Sequence, residues 1–298
     1  MGHRGMLGQA LHGELLALGH EVFATDREVD ITSRDAVLDF AKSTRPSLIL
    51  NAAAYTQVDA AETEEPTATA INGTGVRHLC EAARGTGAGM VHVSTDYVFD
   101  GTATRAYPED APRSPRSAYG RSKLLGELAC EELLLSQGHP CWLVRTSWLF
   151  GPGGNNFVRT LLGLMRERAE VRVVVDQRGR PTYSLDLARA LSRLSGLSGL
   201  SGVAAAPPGF YHFANDGEVS WHAFTLTIAE EARALGLALR CASVLPVSTA
   251  EYPRPAPRPA YSVLDTTRFR DVTGAPPRPW RDALREYLPL LSQGTPAP

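Results

Sequence analysis

The chain has 298 residues, and 30 Lys plus Arg against 32 Asp plus Glu leave a formal net charge of −2. That balance gives no electrostatic case for nucleic acid or an anionic membrane surface. No apolar run reaches the roughly 18 residues of a membrane span, the first twenty residues carry no signal-peptide pattern, and Cys80, Cys130, Cys141 and Cys241 are scattered without C-x-x-C pairing. A disulfide framework or zinc site is therefore not expected, and the cytoplasm is the expected location.

In chain order, Gly2, Gly5 and Gly8 in "MGHRGMLGQALHG" read as a turn running into a helix. "HEVFAT" (20–25) reads as a strand ending at Asp26, and "SRDAVLDFAKST" (33–44) as a helix with Ser33 as its cap. "PSLILNAAA" (46–54) is a continuous apolar run ending in small residues, the pattern of a strand buried on both faces. A helix over 68–87, a buried strand over 89–96, a long helix over 117–138 and a strand over 141–150 follow. Strands alternating with helices at this spacing predict an α/β fold with a doubly wound parallel sheet. Beyond Gly151 the regularity weakens. Helices are expected over 155–169 and 221–236, with a strand and turn over 171–179 between them. The Ser/Gly/Pro-rich stretch 191–209 reads as a helix end trailing into a surface loop, and the tail "QGTPAP" (293–298) as disordered. Residues 1–150, with part of 171–205 returning, form the expected dinucleotide-binding domain, and 151–298 a smaller substrate-binding region.

Three groups of residues carry candidate chemistry. The opening glycines would let a pyrophosphate approach a helix N-terminus, a weak signal alone. Asp26, at the end of the next strand, stands where a carboxylate holds a ribose hydroxyl, while Arg27 beside it suits a 2′-phosphate; NADH and NADPH both remain open. In "SAYGRSK", Tyr119 and Lys123 lie four apart on one helix face, where an ammonium favours the phenolate and lowers the phenol pKa. Lys42 and Lys123 are the only lysines of the chain, so a lysine kept at this position is informative. Ser94, Thr95 and Asp96 stand at the carboxyl end of a buried strand, where open α/β sheets place their ligands.

With "STDYVFDG", "YGRSK", "RTSWLFG" and "NNFV" in order, the chain resembles the extended short-chain dehydrogenase/reductases, and within them the dTDP-4-dehydrorhamnose reductase family. "NAAAYTQVDAAE", "DQRGRPTYSLDLA", "GFYHFAN", "AEYPRPAPRPAYSVLDT" and "PPRPWRDAL" extend the resemblance over nearly the whole length. It implies a Rossmann-like fold and NADPH- or NADH-dependent reduction of the 4-keto group of dTDP-4-dehydro-6-deoxy-L-mannose to dTDP-L-rhamnose. It further implies that Tyr119 protonates the developing alkoxide, Lys123 tunes Tyr119 and binds the nicotinamide ribose, and Thr95 hydrogen-bonds the ketone oxygen. Gly2, Gly5, Met6 and Leu7 would lie along the pyrophosphate. Asp26, Asp30 and Ile31 would border the adenosine half, and Ala52, Ala53 and Tyr55 would follow the cofactor with Asn72 nearby. Val58, Asp96, Tyr97 and Trp148 match positions lining the sugar pocket.

The chain departs from the family in two places. The family opens with a strand of roughly five residues ending in the first glycine, whereas here Met1 precedes Gly2; the expectation is that the first β-strand is missing and the native protein carries a few more residues upstream. The acidic residues of a magnesium-linked dimer are replaced by Ala10 and Leu185, so no structural metal and a monomer or weak homodimer are expected. A 4-ketoreductase for another TDP-deoxyhexose and a non-catalytic regulatory homologue are the alternative readings, the second because fold does not fix function.

Overall fold

The structure, a computed structural model, describes residues 1–199 and 204–292; the expected disordered tail and residues 200–203 of the Ser/Gly/Pro stretch lie outside the described residues. Helix α1 (Met6–Ala17) follows the glycine turn and α2 (Arg34–Thr44) follows Ser33, which holds the cap position without a side-chain capping bond. After β1 (Leu48–Asn51), the helix expected over 68–87 is built as α3 (Glu65–Thr69), one π-helical turn over Ala70–Thr74, and α4 (Gly75–Thr86). Then come β2 (Gly89–Thr95), α5 (Ala118–Leu133), β3 (Cys141–Thr146) and β4 (Leu149–Phe150). The single strand expected over 141–150 is thus broken at Ser147–Trp148, where Trp148 adopts φ 49°, outside any strand conformation. The remainder comprises α6 (Phe157–Glu167), β5 (Glu170–Val174), β6 (Arg178–Gly179), β7 (Thr182–Tyr183), α7 (Ser184–Leu194), β8 (Gly209–His212) and β9 (Val219–Ser220). It closes with α8 (Trp221–Ala234), β10 (Ser243–Val247), α9 (Thr267–Thr273) and α10 (Trp280–Ser292).

The main sheet has the order β1-β2-β3-β8 and is parallel throughout, with Leu50 opposite Val91 and Val93 opposite Val144. Alternation along β2 and β3 feeds two apolar layers. Met90 and Leu143 point to one face, packing with Val76, Leu79, Cys80, Ala129 and Cys130 from α4 and α5. Val91 and Val144 point to the other, packing with Leu7 and Leu11 of α1, Leu187 and Leu191 of α7, and Phe269 of α9. Both faces are covered, which is why these strands read as unbroken apolar runs. A further cluster gathers Phe150, Leu162, Met165, Phe224, Ile228, Tyr287 and Leu288 from the C-terminal half.

The strand expected over 20–25 does not form. That segment runs past α1 with no strand assignment, tied near its end by His3 N–H donating to Thr25 O at 3.3 Å. Between it and β1 lies a cavity of about 440 Å³, lined by Leu11 and Leu15 of α1, Val37 and Ala41 of α2, and Leu48–Leu50. A strand needs a backbone partner for its ladder, and this segment faces the cavity instead. Met1 closes one end of it: its ammonium donates to Leu50 O at 2.9 Å and its carbonyl accepts from Ala52 N–H at 3.2 Å.

Helix α5 is fixed to the sheet by charge as well as by apolar packing. Arg145 of β3 is 1% exposed and grips Glu127 with two hydrogen bonds, at 2.9 and 2.8 Å. A third reaches Glu109 O at 2.8 Å, and the rings of Phe99 and Phe210 each lie 5.0 Å from the guanidinium. A buried ion pair stays folded only when its remaining hydrogen-bonding capacity is used in this way. The helix it holds carries Tyr119 and Lys123.

Candidate active site

Strand β2 ends in a buried polar triplet, Ser94, Thr95 and Asp96. Thr95 caps a short 3₁₀ turn: its hydroxyl oxygen accepts from Tyr97 N–H at 3.2 Å, and its hydrogen goes to Asp96 Oδ1 at 3.0 Å. Opposite, Ser117 starts α5 by accepting Gly120 N–H at 3.1 Å, a cap that sets Tyr119 in the first turn. The Tyr119 ring packs edge-on against Tyr97 with centroids 5.5 Å apart. Burial pushes the Tyr119 phenol up to about 12, and hydrogen bonding with Thr95 opposes that rise. The sequence-based expectation of a lowered phenol pKa is therefore reversed. Lys123 is 2% exposed and donates to Val93 O at 2.7 Å, one of the three hydrogens its ammonium can give. Burial lowers Lys123 to about 8, with the Glu127 carboxylate opposing. Thr95, Tyr119 and Lys123 are nonetheless brought to one place, the carboxyl end of β2 beside the start of α5.

The glycine turn fits a dinucleotide phosphate. Gly2 has φ 74°, and a Cβ there would stand 2.6 Å from Ala53 N; a Cβ on Gly8 would collide with Gly2 O. Gly5 lies in ordinary extended backbone and is the N-cap of α1, which no side chain caps, so N–H groups of its first turn, including those of Met6 and Leu7, face outward as an anion site. Asp26 Oδ2 accepts Arg4 N–H at 3.1 Å, Arg4 pairs with Glu28, and Arg27 is exposed beside them. Asp30 binds Thr32 through its N–H and hydroxyl at 2.9 and 2.8 Å, and Ile31 is buried against Gly75. Ala53 N–H donates to Asn51 Oδ1 at 3.1 Å.

Two expected cofactor neighbours have structural partners of their own. Asn72, fully buried in the π turn, accepts Tyr55 N–H at 2.9 Å and donates to Tyr55 O at 3.0 Å and Ser122 Oγ at 2.9 Å. It thereby ties the loop after β1 to α5. The Tyr55 hydroxyl donates to Glu64 at 2.9 Å.

On the expected sugar side, Val58 is half-buried next to Asp59, which receives Arg254 at 2.7 Å and Arg258 at 2.9 Å. Trp148 stacks on Trp221 with centroids 3.4 Å apart. The sequence reading did not single out Trp221 or the Asp59–Arg254–Arg258 group; the "RPAPRPAYS" stretch held the signal, two arginines among prolines in a loop. The large cavity beside α1 contains none of Thr95, Tyr119 or Lys123 in its wall. Among the described residues no cluster of three or more His, Cys, Asp or Glu is placed to hold a metal ion, and no helix is long and apolar enough to cross a membrane.

The fold and site define a dinucleotide-dependent short-chain reductase class: a parallel sheet with a glycine turn at one strand end and a Thr–Tyr–Lys set at another. The family described as RmlD substrate binding domain matches residues 1–292, and the chain belongs to it. The chain is 43% identical to the dTDP-4-dehydrorhamnose reductase of Streptomyces griseus, covering 100% of this chain and 95% of that protein. It is 42% identical to the spore coat polysaccharide biosynthesis protein SpsK of Bacillus subtilis, over 96% of this chain and 95% of that one. Among solved structures, the dTDP-4-dehydrorhamnose reductase of Bacillus anthracis in complex with NADP superposes with a TM-score of 0.87 at 36% identity, covering 97% of each chain.

Proposed function

We propose that this protein reduces the 4-keto group of dTDP-4-dehydro-6-deoxy-L-mannose to give dTDP-L-rhamnose, with NADPH as the preferred reductant. The observation that carries this reading is the meeting of Thr95, Tyr119 and Lys123 at the end of β2 in a chain of this family. NADPH, when bound, supplies the hydride that goes to C4. Gly2, Gly5, Met6 and Leu7 hold its pyrophosphate on the backbone N–H groups of the α1 terminus, and Arg27 faces the 2′-phosphate beside Asp26. Asp30 and Ile31 border the adenosine, and Ala52, Ala53 and Tyr55 follow the cofactor on the β1 side.

Tyr119 gives its phenolic proton to the oxygen at C4 as negative charge develops there, and the Thr95 hydroxyl beside it hydrogen-bonds the phenol. Lys123, one helical turn on, orients the nicotinamide ribose and adds positive charge beside the phenol. Val58, Asp96, Tyr97 and Trp148 enclose the sugar, the indole being held in place by its stack on Trp221. Residues 1–150, with part of 171–205, serve the dinucleotide, and 151–298 mainly the nucleotide sugar.

The test is loss of NADPH absorbance with dTDP-4-dehydro-6-deoxy-L-mannose, followed by identification of the product. Turnover to dTDP-L-rhamnose is expected. Turnover only with a different dTDP-4-keto-6-deoxyhexose would replace the substrate and keep the reaction class. Absence of NADPH and NADH oxidation with all of them would leave the non-catalytic regulatory homologue instead.

A further inference from the structure

A threonine hydroxyl has one hydrogen to give and two lone pairs to receive. At Thr95 one lone pair takes Tyr97 N–H at 3.2 Å, and the hydrogen goes to Asp96 Oδ1 at 3.0 Å. The Tyr119 phenol stands near enough to Thr95 for hydrogen bonding between them to ease its charge, and the remaining lone pair is the one open to it. In this arrangement the phenol proton is drawn toward Thr95 and away from a ketone. Tyr119 has a single hydrogen too, so the direction of the whole chain is fixed at its far end, by Asp96.

Asp96 is only 2% exposed, and its Oδ2 has no hydrogen-bond partner, nor does the hydroxyl of neighbouring Ser262. We propose that Asp96 is a positioning residue for the reduction: when its carboxyl is protonated it donates to Thr95, Thr95 turns its hydrogen to Tyr119, and the phenol proton is freed for the substrate oxygen. Ionised Asp96 runs the same three-residue chain backwards. In both directions every hydrogen in it has an acceptor, so one ionisation selects between two complete hydrogen-bond sets. The inference rests on the 4-keto reduction proposed above.

The surroundings leave this carboxyl free to change state near neutral pH. Burial holds the carboxyl up at about 6, against the easing effect of the Thr95 hydroxyl, the N–H groups of Asp96 and Tyr97, and the Ser262 hydroxyl, which lies close by without forming a direct hydrogen bond. The titratable groups facing it are Tyr97 of its own turn and Tyr119 of α5, both pushed up by burial. Arg258 and Asp59 meet each other beside Tyr97, and Lys123 is engaged with Val93 O.

The experiment is the pH profile of kcat, at saturating NADPH and sugar nucleotide, for the wild type, Asp96→Asn, Thr95→Ser and Thr95→Val. In the wild type kcat falls as pH rises through the Asp96 titration, approaching about tenfold per unit above it. An Asn amide donates to Thr95 at every pH, so Asp96→Asn loses that limb. Thr95→Ser keeps the limb because it keeps the hydroxyl, and Thr95→Val loses it. A merely structural role would lower kcat by a constant factor and leave the limb in place, so an unchanged limb in folded Asp96→Asn overturns the inference. Infrared difference spectra supply a readout without turnover. The protonated-carboxyl band of Asp96 should titrate near neutral pH, vanish in Asp96→Asn and shift in Thr95→Val. A band indifferent to Thr95→Val, or none at any pH, equally overturns the coupling. Lack of substrate turnover with an intact, Thr95-sensitive band would instead count against the proposed reaction while supporting the Asp96–Thr95 coupling itself.

Discussion

At Tyr119 the governing quantity is one proton. The phenol sits in a setting that pushes its pKa to about 12, so at neutral pH it is a reservoir of acid rather than a base. Tyr119→Phe removes that proton and leaves the edge-on packing against Tyr97 in place. In the proposed general-acid role Tyr119 would contribute roughly 10²–10⁴-fold. The expected result is a fall in kcat of that order with the Kd for NADPH, measured by fluorescence titration, changed less than about threefold. A mutant with near-native turnover would remove Tyr119 from the mechanism. The proposed preference for NADPH also rests on single residues. Asp26 Oδ2 accepts Arg4 N–H, and Arg27 is exposed beside it. A guanidinium facing a 2′-phosphate contributes about 1.5–3 kcal/mol as a charge-assisted hydrogen bond. Arg27→Ala should therefore lower kcat/KM for NADPH by roughly tenfold or more and leave NADH use nearly unchanged, as read from the ratio of the two. An equal loss with both cofactors would place Arg27 away from the 2′ position.

At the scale of elements, periodicity and patterning reached β1, β2 and β3, because strands covered on both faces need apolar residues at every position and Leu48–Leu50, Met90–Val93 and Leu143–Val144 supply them. It placed Thr95 at the end of a buried strand and Tyr119, with Lys123 a turn further on, in a Ser117-capped helix because those elements carry clear local signals. It failed where the local pattern depends on distant partners. "HEVFAT" has strand character, but its neighbour is a cavity; "CWLVRTSWLF" has it throughout, but stacking on Trp221 accompanies a left-handed backbone at Trp148. The raised Tyr119 pKa was equally out of reach, since the spacing to Lys123 says nothing of the burial that pushes the phenol up. The cavity makes a test of its own. An apolar extension of about five residues fused ahead of Met1 has room to run between residues 20–25 and β1, giving both a ladder partner. Each fully buried Val or Ile contributes roughly 1.5–3 kcal/mol, against about 1–2 kcal/mol of backbone ordering, leaving a net gain of a few kcal/mol. The extended chain should melt roughly 5–10 °C higher, with new amide protection in residues 20–25. A Gly/Ser extension of equal length should give neither change, and an apolar one without effect would show that the cavity does not accept a strand.

Across the whole molecule, the buried ionisable groups set how stability varies with pH, and they pull in different directions. The Met1 ammonium is lowered from 8.0 to about 6 by burial beside Leu50, with Asp26 opposing. Its folded value lies below its unfolded one, so the unfolded chain binds more protons between those limits and stability rises with pH there. The contribution is present in full above pH 8 and lost as pH falls toward 6. Asp96 has the opposite sign: raised from 3.8 to about 6, it favours the folded state below pH 3.8, and that contribution is lost as pH climbs to 6. His92 and His212 are held well below 6.5 by burial, with Lys123 and Arg145 respectively adding to the effect. They must take up protons on unfolding below their ordinary range, so stability falls as pH drops through it. Between pH 6 and 8 the Met1 ammonium, at most about 3 kcal/mol for its two units, and, toward the lower end, His92 and His212 all raise stability with pH. Melting temperature should therefore climb from pH 6 to 8 by several degrees. Nα-acetylation keeps an N–H to donate to Leu50 O but removes the charge, so the acetylated chain should melt higher at pH 6 and climb less, keeping only the part that His92 and His212 supply. A climb of equal size in the acetylated chain would mean that groups other than Met1 govern this window.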